Sequence, residues 1–114
     1  MDALLGAAGL DDIGALFPDD DPAYAGASSV ALLGEVVDRV RGEGWQVGNV
    51  DVTVVCERPR LAPYREAMRA RLAAAMGVAE GAVGVKATTT EGMGFEGRGE
   101  GIAAFAVCLL QRAE

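Results

Sequence analysis

Residues Ile102 to Leu110 read Ile-Ala-Ala-Phe-Ala-Val-Cys-Leu-Leu, apolar without interruption. The run is far too short to cross a bilayer as a helix. Its three alanines favour a helix weakly, whereas Ile102, Phe105 and Val107 favour extended chain, so a strand is predicted. A strand sends Ile102, Ala104, Ala106, Cys108 and Leu110 to one side and Ala103, Phe105, Val107 and Leu109 to the other. Both sides therefore need cover. A chain of 114 residues has helices enough for one face of a small sheet, and the second face is expected to pack on another subunit.

The elements that supply the first cover are legible along the chain. Met1 to Leu10 reads as helical, without an N-cap. Asp11 to Pro22 is turn chemistry anchored by Ile13 and Phe17. Its Asp19-Asp20-Asp21 run is either a solvated acidic loop or one that binds a metal or hydroxyls. Ser28 or Ser29 opens an amphipathic helix to about Arg41, with Val30, Leu33, Val37 and Val40 on the apolar stripe. Glu35 and Arg39 stand at the spacing of an ion pair, and Gly42 and Gly44 stop the helix.

Asn49 to Glu57 alternates as a strand, with Val50, Val52 and Val54 on one face. A second helix is predicted from near Pro63 to Met76, carrying a ridge of Tyr64, Met68, Leu72 and Met76 and ending at Gly77. Val83 to Ala87 is a short strand. The fold class is thus α/β (α+β), a single domain over residues 1–114: a small sheet with helices packed on one face and the other face in an oligomer interface.

Charge excludes one class of partner. The net charge is −7, and Lys86 is the only lysine among ten basic residues, so no basic face is available to track nucleic acid. No membrane partner and no secretory signal are indicated. Cys56 and Cys108 lack metal-type spacing and read as core thiols of a reducing compartment, the cytoplasm. There is no histidine, which removes the usual general base and the commonest zinc ligand.

The chemistry-bearing stretch is Lys86-Ala87-Thr88-Thr89-Thr90-Glu91, followed by a glycine-rich run to Gly101. One cation, three hydroxyls and a carboxylate at a strand end suit a phosphorylated ligand with a divalent ion, or else an ordinary strand-to-strand connection. Arg58, Arg60, Lys86 and Arg98 are the candidate cations for such a ligand. Gly92-Met93-Gly94-Phe95-Glu96-Gly97 matches the dinucleotide fingerprint literally, but the motif runs on into another predicted strand with no βαβ unit around it.

Taken together, several segments resemble one family, 2-C-methyl-D-erythritol 2,4-cyclodiphosphate synthase of the non-mevalonate isoprenoid pathway. They are Asp2-Ala-Leu-Leu-Gly-Ala, Asp12-Ile-Gly, Leu16-Phe-Pro-Asp, Gly48-Asn-Val-Asp-Val-Thr, Val85-Lys-Ala-Thr-Thr-Thr-Glu, Gly94-Phe and Gly97-Arg-Gly-Glu-Gly-Ile-Ala, in matching order along the whole chain. The resemblance implies a homotrimeric α/β phosphorus–oxygen lyase with active sites between neighbouring subunits. It closes a cyclic diphosphate on 4-diphosphocytidyl-2-C-methyl-D-erythritol 2-phosphate and expels CMP. Zinc and a second divalent ion, magnesium or manganese, polarise the phosphates.

By the same resemblance the cytidine nucleotide falls on Cys56, Glu57, Arg58, Pro59, Arg60, Leu61 and Ala62 together with Ala87, Thr88, Thr89 and Thr90. Arg60 stands where the family often carries a lysine. Thr89 matches the threonine that supports the transition state, and Glu91 the carboxylate that holds the second ion. Asp12, Ile13 and Gly14, with Phe17, Pro18, Asp19, Asp20 and Asp21, match the segments that hold the methylerythritol part. Phe95 and Arg98 match further substrate-side positions, Arg98 near the trimer axis.

The family's zinc is held by an aspartate and two histidines in the segment preceding what is here Met1, and the zinc ligands have no counterpart in this chain. The chain is accordingly expected to correspond to the family's C-terminal portion and to leave a sheet edge unpaired. These residues alone are not expected to turn the substrate over. The alternative is an inactive remnant that retains nucleotide binding or only trimerises.

Overall fold

A computed structural model describes residues 1–113. The helices are α1 (Asp2–Ala7), α2 (Ile13–Leu16), α3 (Ser29–Gly42), α4 (Arg65–Met76) and α5 (Gly94–Gly97); the strands are β1 (Trp45–Val55), β2 (Val83–Thr88) and β3 (Ala103–Arg112). The sheet order is β2-β1-β3. β1 lies in the middle, parallel to β2 and antiparallel to β3.

Pleating sorts the side chains as the alternation requires. Val50, Val83 and Val85 are buried against the helices, and Val52, Cys108 and Leu110 pack beside them. From the helices come Leu4 and Leu5 of α1, Leu33, Val36, Val37 and Val40 of α3, and Ala73 and Met76 of α4. Each fully buried aliphatic side chain of this size contributes roughly 1.5–3 kcal/mol relative to exposure. The predicted stripe of α3 is thus observed with Val36 added, fully buried, while Val30 is only half-buried.

Several boundaries move, each for a local reason. β1 begins at Trp45, four residues before the predicted Asn49, because a bulge lies between Val47 and Asn49. The extra residue lets Val47 and Val50 both face the core, a spacing of three that hides the strand from a period-two pattern. Gly48 fills the bulge, where a Cβ would stand 3.0 Å from the Leu109 carbonyl. A 3-10 turn at Ala62–Tyr64 precedes α4 and leaves Tyr64 exposed, so the predicted ridge starts at Met68. Gly77 takes the left-handed φ of 68° at the α4 C-cap, and Arg41 Nη2 donates to the adjacent Met76 carbonyl at 3.0 Å, tying α3 to α4. The Glu35–Arg39 ion pair does not form among the described residues.

The opposite face of the sheet is open. Phe105, Val107 and Leu109 are 65%, 72% and 56% exposed, in register beside Thr53, Asp51 and Asn49. Lys86 of β2 pairs there with Asp51.

Both cysteines are free, as expected. The Cys108 thiol donates to the Ala3 carbonyl at 3.2 Å, and burial pushes it above its ordinary value of 9.0. An unfolded chain ionises this thiol first, so its contribution to stability is complete below about pH 9 and is lost as pH rises through the folded value. Urea midpoints compared between pH 7 and 10 are expected to fall less steeply in Cys108→Ala than in the parent. Parallel pH profiles would contradict this.

Candidate functional site

β1 and β2 run in parallel and end side by side, and loops at strand ends are where ligand groups are commonly carried. Pairing continues one step past β1, where Cys56 N donates to the Thr88 carbonyl at 3.1 Å. The segment after β1 turns at once: the Arg58–Pro59 peptide is cis, and the Cys56 thiol donates to the Pro59 carbonyl at 3.7 Å. Between this segment and the end of β2 lies a cavity of about 370 Å³. Every residue predicted for the nucleotide lines it except Arg58 and Thr90.

A second cavity, about 340 Å³, shares Leu61, Ala62 and Ala87 with the first and adds Arg65, Val85 and Lys86. A third, about 280 Å³, lies on the other side of Glu57, between Arg58 and the Gly97-Arg98-Gly99 segment. Glu57 thus borders two cavities. Its Oε2 is buried and meets no hydrogen-bond donor among the described residues.

The threonine loop is built by its own hydroxyls. Glu91 N donates to Thr89 Oγ1 at 3.2 Å, which supports Glu91 at a left-handed φ of 54°. Thr90 Oγ1 donates to the Met93 carbonyl, and Met93 N donates back to the Thr90 carbonyl at 3.1 Å. The chain then enters α5, one turn long, and the literal dinucleotide fingerprint therefore opens no helix of the required length. Phe95 and Arg98 are each about half exposed, and Arg98 Nε donates to Glu100 Oε1 at 2.7 Å.

The acidic segment stands elsewhere. Asp12 caps α2 by accepting from Ala15 N at 3.0 Å, and Asp2 Oδ1 accepts from Ile13 N at 2.9 Å, so α1 holds the Asp12-Ile13-Gly14 turn. Phe17 is buried with its ring edge-on to Tyr24, the centroids 5.0 Å apart. Asp21 accepts from Ala23 N, while Asp19 and Asp20 are exposed. None of residues 12–21 lines any of the three cavities above.

The four candidate cations do not converge. Arg60 lines the first cavity, Lys86 the second, and Arg58 and Arg98 the third. Lys86 is engaged by Asp51, which lies diagonally across from it because the β1–β2 register sets Thr53 opposite Lys86, and Arg98 by Glu100. Arg65 is the cation that sequence reasoning missed; its only signal is its place in the first turn of a predicted helix after Pro63.

Metal chemistry divides by donor type. Among the described residues no three His, Cys, Asp or Glu side chains are grouped to hold an ion. A zinc site does not fit these residues, since zinc seeks four close donors rich in histidine or thiolate. A hard ion such as magnesium fits one carboxylate shared with ligand phosphates, and Glu91 offers that carboxylate at the rim of the threonine loop.

Residues 1–111 match the model of the YgbB family. The chain belongs to that family. A 2-C-methyl-D-erythritol 2,4-cyclodiphosphate synthase from Rubrobacter xylanophilus is 60% identical over 112 residues, 98% of this chain and 67% of that protein. A bifunctional enzyme IspD/IspF from Anaeromyxobacter sp. (strain Fw109-5) is 61% identical over 97% of this chain, which spans 29% of its length. Among solved structures, an IspF from Plasmodium falciparum in complex with CDP superposes with a TM-score of 0.84 at 28% identity, covering 97% of this chain and 66% of that one. The YgbB-family chain therefore shares the mixed α/β fold with its synthase relatives, and the three-stranded sheet and its helices lie within the matched region but for Arg112 at the end of β3.

Proposed function

We propose that this chain, one domain over residues 1–114, is part of a 2-C-methyl-D-erythritol 2,4-cyclodiphosphate synthase, a cytoplasmic phosphorus–oxygen lyase that works as a homotrimer. The observation that carries the proposal is the cavity at the ends of β1 and β2, lined by the residues expected of a cytidine pocket. The CDP bound to a structural relative supports the same ligand class.

In this reading Leu61, Ala62 and Ala87 supply apolar walls for the base, and the backbone of Cys56 to Ala62, with Thr88, supplies polar groups, while Thr90 lies just beyond the cavity. Arg60 presents a forked guanidinium to the diphosphate, which matters more on a chain of net charge −7. The Thr89 hydroxyl is available to donate to a phosphate oxygen as charge accumulates there. Asp12, Ile13, Gly14 and the Phe17 to Asp21 loop hold the methylerythritol part, and Phe95 and Arg98 lie on the substrate side.

The reaction asks mainly for positioning. An oxygen of the substrate's 2-phosphate bonds to the β-phosphorus as the bond from that phosphorus to CMP breaks, and the electron pair leaves with CMP. Magnesium or manganese at Glu91, when bound, neutralises phosphate charge.

Two features support the trimer. The apolar stripe of Phe105, Val107 and Leu109 lacks cover, and the acidic turn is absent from the cavities that would hold the nucleotide. A site assembled from the nucleotide half of one subunit and the acidic half of the next reconciles both.

The test is a CDP titration by calorimetry, with CMP release from 4-diphosphocytidyl-2-C-methyl-D-erythritol 2-phosphate followed in parallel. Saturable CDP binding that weakens about tenfold or more in Arg60→Ala is expected, because a charge-assisted contact contributes roughly 1.5–3 kcal/mol. A chain that binds no CDP would overturn the proposal.

A further inference from the structure

Arg69 projects from α4 one turn after Arg65, and its guanidinium is committed to the protein itself. Nε donates to the Val83 carbonyl at 2.9 Å, Nη2 to the Glu80 carbonyl at 3.0 Å, and Nη1 to both carboxylate oxygens of Glu66 at 3.1 Å. Glu80 begins the 3-10 turn that leads into β2, and Val83 is the first residue of the strand. Among the described residues β2 is an edge strand, hydrogen-bonded to β1 alone. Its entry shares the core with Ala73 and Met76 of α4, and the polar tie between the two elements is this one side chain.

The same two segments wall the nucleotide cavity at their other ends. Leu61 and Ala62 lead into α4, while Ala87, Thr88 and Thr89 close β2. The cavity's width is the distance between these walls, and β1 sets only one of them. We infer that Arg69 is a positioning residue: by holding the entry of β2 against α4, it fixes the spacing that the nucleotide meets at the far end. This rests on the proposal that the cavity takes a cytidine nucleotide.

The chemistry of the clamp singles out arginine. Two carbonyls three residues apart, one in the 3-10 turn and one at the strand's start, need two donors on one rigid plane, which a guanidinium provides and a lysine ammonium does not. Lysine at this position retains the charge facing Glu66 and loses the fork.

The experiment compares Arg69→Lys and Arg69→Met with Val40→Ala, a core truncation in α3 away from the cavities. CDP affinity is measured at a temperature where each variant is fully folded, beside thermal melts and amide hydrogen exchange. Both Arg69 variants are expected to weaken CDP by about tenfold and to speed exchange across Val85 to Thr89. Val40→Ala is expected to lower the melting temperature at least as far with CDP affinity unchanged. Arg69 variants that lose only melting temperature would overturn the inference, as would CDP loss in Val40→Ala in proportion to its destabilisation. Failure of the parent to bind CDP would instead sink the nucleotide reading, and unaltered exchange at Val85 to Thr89 would then count against the clamp independently.

Discussion

Gly97→Ala is expected to weaken CDP binding by at least about tenfold and to destabilise the fold by about 1–3 kcal/mol, the usual range for forcing atoms into filled space. A Cβ at Gly97 would stand 2.3 Å from the Gly92 carbonyl carbon, 2.7 Å from the Gly92 Cα and 2.7 Å from Thr90 Oγ1. Two of these atoms are backbone, so no side-chain rotation relieves the clash. Either α5 lifts away or the Thr90–Met93 turn opens, and that turn directly follows Thr89 and contains Glu91. Gly6→Ala is the control. It sits in α1 with nothing within 4 Å of the new methyl group, and helix propensity favours alanine there by about 0.5–1 kcal/mol. CDP titration and thermal melting of the two variants decide the matter, and Gly97→Ala with parental CDP affinity would show that the loop tolerates displacement.

The second large effect is expected from Val107→Asp. Val107 lies on the open face of the edge strand β3, opposite Asp51 of β1. If that face packs on neighbouring subunits, the substitution places a carboxylate in each copy of the interface and beside a carboxylate already present. A buried charge without a partner costs several kcal/mol, enough to dissociate an assembly of ordinary interface size. Sedimentation is expected to show trimers for the parent and monomers for the variant. Since the side chain is 72% exposed in the single chain, the monomer's own fold is expected to survive, with unchanged far-ultraviolet circular dichroism. A trimeric Val107→Asp would assign the apolar stripe some other role.

What could be foreseen from residues alone followed the range of the interactions involved. α3 was legible because its signals are local: Ser28 accepts from Ala31 N at the cap, and the stripe through Leu33, Val37 and Val40 repeats at helical spacing. The start of β1 was not, because the bulge at Gly48 changes phase in mid-strand. Tyr64 was placed on the α4 ridge because a 3-10 turn and an α-turn are indistinguishable in a short apolar pattern. In the site, contiguous loops could be named in advance, and the cavity at the strand ends gathers most of the nucleotide set. The fate of Lys86 could not, since its partner Asp51, 35 residues away in the chain, is brought near by the register between two strands. Arg69 gave no signal at all. Its role depends on where two carbonyls fall in space, and no motif records that.

β1 belongs to both regions on which function is proposed to depend. At its end it delivers Cys56 and Glu57 to the nucleotide cavity, and along its length it carries β3 with the uncovered apolar stripe. A shared rigid element makes ligation and assembly linked equilibria. By whatever factor trimer formation tightens a cytidine nucleotide, the nucleotide tightens the trimer by the same factor. Dilution would then act as an antagonist of binding, and nucleotide concentration would help to set the population of assembled enzyme.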